Sequence, residues 1–198
     1  MKEILINAIN SSCSYHNYRK TIINLIQEGK TSGPIQSETL VNFTRLNEKR
    51  MQRLDKTIIL DNEIISKLSK IKSDSIWLVI TEGWCGDAAQ IIPILNKMSK
   101  VSDHIDLKIV FRDDNVALMN LFLTNGTRSI PKLIILDKIS LDVIADWGPR
   151  PKGAIELIQN YKDKFGVIDE KIKAELQMWY LNDKGLSSQN EIVELIRI

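Results

Sequence analysis

Apolar positions along this chain change period as it proceeds. Between Tyr15 and Gln27, Tyr18, Ile22, Leu25 and Ile26 recur at helical spacing, and Gly29 with "TSGP" (31–34) stops that helix. A second helix is predicted from Gln36-Ser37, with Ser37 as its cap, through Leu40, Phe43, Leu46 and Met51 to about Leu54. These two predict a helical hairpin ahead of the rest. "TIIL" (57–60) is β-branched and short, and reads as a strand or as neither element. Asp61 or Asn62 is placed to cap a helix through Ile71.

From there strands and helices alternate. "SIWLVIT" (75–81) is a continuous apolar run, as a central strand buried on both faces requires. A helix follows from Cys85 to about Lys100, a strand over 105–112 and a helix over Val116–Leu123. "KLIILD" (132–137) and "LDVIADW" (141–147) lie close enough for a hairpin. "GPRP" (148–151) then breaks the chain before a helix through Lys164, and helical patterns over Asp169–Leu181 and Asn190–Ile198 finish it. The alternation predicts an α/β domain: a parallel sheet with helical crossovers and a late antiparallel edge.

Composition narrows the function classes. With 198 residues, 43% of them hydrophobic and 26% charged, the chain can bury one sizeable core. A net charge of +2, with Lys and Arg scattered, gives no footprint for nucleic acid. No run approaches the length of a membrane-spanning helix, so no membrane partner is expected. The first twenty residues make a poor signal peptide, since the apolar stretch is short and broken by Asn7 and Asn10. Cys13 and Cys85 are too few and too distant for a disulfide framework. A cytoplasmic location is therefore expected, where a single thiol stays free. Two histidines and two cysteines give no zinc-like spacing, so neither metal nor other cofactor is expected.

The chemistry concentrates in "ITEGWCGDAAQIIPIL" (80–95), where a strand hands over to a helix at Cys85. Amides at a helix N-terminus stabilise a thiolate, so the position predicts a lowered thiol pKa, although Glu82 and Asp87 oppose it. Arg128 or Lys132 would offset those acids if they face the thiol.

"WCGDAAQIIPIL" resembles the active-site segment of the thioredoxin family, W-C-G-P-C followed by a helix with a proline, here Pro93. "GTRSIP" (126–131) resembles that family's second signature, which implies a cis Ile130–Pro131 bond against the active-site cysteine. Gly148, after Trp147, falls where the family has a glycine lining the substrate groove. The resemblance covers about residues 57–165. It implies a thioredoxin fold, a mixed central sheet flanked by helices, with an N-terminal helical hairpin and C-terminal helices added. The hairpin is similar to that of a bacterial thioredoxin-like branch. The implied division is an N-terminal extension over 1–55, a thioredoxin-like domain over 56–165, and a C-terminal segment over 166–198 packed on it.

Three departures bear on activity. Ala88 stands in place of the second cysteine, and Asp87 in place of the proline between. Val79 occupies the position of the family's buried acid, whose task is to move the resolving thiol's proton. The resemblance thus implies a monothiol redox protein. Cys85 would form mixed disulfides with protein or low-molecular-weight thiol partners, along a groove of Trp84, Gly86, Asp87, Ala88, Ile130, Pro131 and Gly148. Release would need an external thiol or, as another candidate, Cys13. The alternative is a non-catalytic binding module using the groove around Trp84, Ile130, Pro131 and Trp147. A third reading, an iron–sulfur dimer of monothiol-glutaredoxin type, lacks the matching motif at "CGDA". Trp179-Tyr180 reads as a core contact of the C-terminal helices.

Overall fold

In a computed structural model that describes residues 1–196, β1 (Ser75–Thr81) is buried along its whole length at the centre of a four-stranded sheet. The order is β2-β1-β3-β4, with β2 at Ile105–Phe111, β3 at Lys132–Asp137 and β4 at Val143–Trp147. β2 runs parallel to β1, with Val79 opposite Ile109. β3 runs antiparallel to β1, and β4 antiparallel to β3. The sheet is therefore mixed, not a parallel sheet with an antiparallel edge. The connection after β2, a helix α6 (Val116–Leu121) of less than about two turns followed by a tight turn, stays at the end of the sheet where β2 finishes instead of returning along it. The chain turns at the end of β2, through a Thr124–Thr127 bridge, and enters β3 in the opposite sense.

Helices cover both faces. α5 (Gly86–Ser99) is buried on nearly every side, because the sheet lies beneath it and α3 (Glu38–Thr57) and α9 (Leu186–Val193) lie over it. α2 (Tyr15–Gln27) and α3 form the expected hairpin, each capped by a serine hydroxyl, Ser14 on Asn17 N–H and Ser37 on Leu40 N–H. α4 (Asn62–Leu68) starts at Asp61, and α7 (Lys152–Phe165) and α8 (Glu170–Asp183) follow the sheet. Buried side chains from Leu5 to Val193 join one core cluster.

Three segments depart from the sequence reading. α1 (Lys2–Ser11) forms where only a broken apolar stretch was legible: Leu5 and Ala8 are buried, and Asn7 and Asn10 face outward. "TIIL" forms no strand. Ile58 O instead accepts from Lys97 Nζ, Ile59 O accepts from Gln189 Nε2, and Ile59 is 80% exposed. The last helix begins at Leu186 rather than Asn190 and ends at Val193; positions 197 and 198 of that expectation lie outside the described residues. No described helix is long and apolar enough to cross a membrane.

Candidate functional site

The backbone leaves β1 through Glu82-Gly83-Trp84 and reaches Cys85, the N-cap of α5, in an extended conformation (φ −77°, ψ 114°). This turn is clamped from the helical side. The carboxylate of Glu82, fully buried, accepts from Asp113 N–H (3.0 Å) and from the Ser32 hydroxyl. Ser32 Oγ accepts in turn from Gly83 N–H (2.8 Å), and Gly83 O accepts from Asn47 Nδ2 (3.0 Å). Burial pushes the Glu82 pKa up, and the two donors pull it back. Glu82 is thus a tie between the loop before α3 and the turn before α5, not merely a flanking charge.

Cys85 is 7% exposed, and its thiol donates to Ile130 O at 3.3 Å. Burial, and then the charge of Asp87, push the thiol pKa up to about 12, against the backbone amides of Ala88 and Asp87 and the guanidinium of Arg150. The helix N-terminus acts as expected in sign but is outweighed, and the expected lowering is reversed. Ala88 is fully buried one turn into α5, and Val79 is fully buried in β1. The Ile130–Pro131 peptide is cis, as is Gly148–Pro149. Gly148 has φ +120°, and a β-carbon there would overlap the Pro131 carbonyl.

Trp84, Cys85, Gly86, Asp87 and Ile130 therefore meet in one cleft of ≈ 490 Å³, whereas Ala88, Pro131 and Gly148 of the expected groove do not line it, and Pro131 and Gly148 pack on each other. Arg128 lines this cleft, whereas Lys132 turns away to Asp146 (2.7 Å). Trp147 also points elsewhere: its indole N–H donates to Glu191 at 2.9 Å. Cys13 is held at the outer edge of β2, bridged to Ile109. Two strand spacings, about 10 Å, separate it from β1. Cys85 leans to the other side of β1, toward Ile130. A disulfide needs Cα atoms within about 7 Å, so Cys13 in this position does not resolve Cys85.

Several site residues escaped the sequence. Arg150 Nη2 pairs with Asp87 Oδ2 at 2.7 Å, and Tyr180 donates to Asp87 Oδ1 at 2.9 Å. Asp87 is a buried acid, and Tyr180 is a polar partner of the site as well as a core contact. Arg112 stacks over Trp84 (4.9 Å to the ring centre), and Arg50 stands beside Gly86. The only available signal was "GPRP", an arginine fixed between two prolines just after the groove glycine. Among the described residues no group of three or more His, Cys, Asp or Glu side chains is placed to hold a metal.

The family described as Thioredoxin matches residues 33–162 of this chain. No curated protein matches. Two solved structures are similar in fold: an HIV epitope-scaffold (16% identity, 92% of this chain and 97% of that one covered, TM-score 0.57) and a protein of unknown function from Pseudomonas aeruginosa (14%, 92% and 96%, TM-score 0.58). With the matched segment spanning the sheet, the cysteine turn and the cis-proline loop, this chain belongs to the thioredoxin family.

Proposed function

We propose that this protein is a monothiol exchange protein acting through Cys85. The thiol loses its proton to solvent, and the thiolate attacks one sulfur of a disulfide R–S–S–R′. The Cys85–S–S–R bond forms as the S–S bond breaks, and R′–S⁻ leaves. An external thiolate then attacks the R sulfur, forms a new disulfide and returns Cys85 as thiolate. One observation carries this reading: the sulfur of Cys85, the N-cap residue of α5, lies against Ile130 O, while Ala88 stands where the family has its resolving cysteine. Capture is provided for; self-release is not.

The burial and raised pKa of the thiol favour a second reading, a groove that binds partners without covalent chemistry. Dithiothreitol-driven insulin reduction separates the two. The exchange reading expects slow turnover by wild type, because dithiothreitol must discharge each adduct from outside, and a faster rate in Ala88→Cys, both abolished by Cys85→Ser. The gain stays partial, because Val79 supplies no buried acid. No gain in a folded Ala88→Cys protein supports the binding groove instead.

A further inference from the structure

The Cys85 cleft adjoins a second one of ≈ 420 Å³, and Trp84, Gly86, Asp87 and Arg150 line both. Four guanidinium groups face these clefts, and their pairing differs. Arg112 donates to Asp113 (2.8 Å) and Arg150 to Asp87 (2.7 Å). Arg128 Nε donates to the amide oxygen of Asn120 (2.9 Å), and Arg50 Nη1 to that of Asn47 (2.9 Å). Among the described residues neither Arg128 nor Arg50 is in contact with a carboxylate, and one stands in each cleft. Arg150 Nε is buried without a partner, a donor left unspent beside the same ridge.

The walls speak to the size of the ligand. α3 presents Phe43 to both clefts, and α8 presents Leu176 and Gln177 to the second. These helices stand on the rim of the groove and narrow the approach to a thiol that is already 7% exposed. Each cleft falls in the range of small-ligand sites, about 300–1,000 Å³.

We infer that the disulfide exchanged at Cys85 is a low-molecular-weight one carrying carboxylates, held by Arg128 and Arg50. This rests on the exchange reading above and names its substrate class. The step is unchanged: the Cys85–S–S–R bond forms, the substrate S–S bond breaks, and the anionic half R′–S⁻ departs. Carboxylate–guanidinium pairs are charge-assisted and planar, so they orient the substrate as well as attract it.

The test uses the full chain as Cys13→Ser, leaving one thiol, and follows adduct formation by intact mass. Glutathione disulfide (anionic), bis(2-hydroxyethyl) disulfide (neutral) and cystamine (cationic) are compared, each rate divided by that with free cysteine. At low salt the normalised rate with glutathione disulfide should exceed that with cystamine by about tenfold or more, and added salt should shrink the gap. Arg50→Gln with Arg128→Gln should slow glutathione disulfide at least about threefold more than the neutral reagent. Equal or faster reaction of cystamine overturns the anionic assignment and leaves the exchange reading standing. No adduct with any of the three overturns both.

Discussion

Asp87 adds to what burial already does to the thiol it follows. Its carboxylate is fixed beside Cys85 by Tyr180 and Arg150. Asp87→Asn removes that repulsion and frees Arg150 to act on the sulfur alone. The iodoacetamide rate at pH 8 should rise about threefold to tenfold, and a slower variant would contradict the assignment. A second consequence concerns stability. The native thiol pKa of about 12 lies above the unfolded value of ~8.5, so the native state holds its proton more tightly. The stabilisation from that bound proton is fully present below pH ~8.5 and is lost as pH rises toward 12. Relative to Cys85→Ala, wild type should lose about 1.4 kcal/mol per pH unit across that window, measured by urea unfolding. Cys85 itself was legible, because a strand-to-helix turn can be read from apolar pattern. Its electrostatics were not, since Arg150 and Tyr180 arrive from distant segments that only the folded chain brings near.

At the scale of elements, the site is a strand end, a turn and a helix start held by what packs around them. Gly148, at the end of β4, permits the close approach of that strand's exit to the Pro131 carbonyl. Gly148→Ala should cost about 2 kcal/mol or more, through a positive φ and a backbone overlap together, read as a lowered urea midpoint at unchanged m. Tyr180→Phe removes the donor from a buried carboxylate oxygen and should cost about 1–3 kcal/mol in the same assay. Elements with clear periodicity were legible: β1, α2 and α3 begin and end close to where their apolar residues and capping serines place them. Weakly patterned ones were not. α1 buries two residues in ten and owes its form to packing on the body of the protein, against β2 and α6. The direction of β3 was not legible, because the strand–helix–strand order is the same whether the connection returns along the sheet or stays at one end of it.

For the whole molecule, the added helices belong to the same core as the sheet. Ile172, Leu176 and Tyr180 of α8 and Ile192 and Val193 of α9 are buried in that cluster. Gly185, at the start of α9, leaves no room for a β-carbon against Ile94 of α5, so the C-terminal segment presses directly on α5. Removing residues 167–198 should therefore lower thermal stability by many degrees and broaden the transition; an unchanged melting curve would show that the segment is dispensable. In the exchange proposed for this site, Cys85 captures a disulfide and does not release it unaided. Its most direct measurement is the fate of the adduct with bis(2-hydroxyethyl) disulfide, a neutral reagent that leaves the charge of the cleft out of account. After excess reagent is removed, intact mass should show one adduct on Cys85 that persists for hours in Cys13→Ser, and just as long in wild type. It should be discharged only when an external thiol is added. Spontaneous loss of the adduct without added thiol, or a Cys85 that never accepts one, would contradict the account.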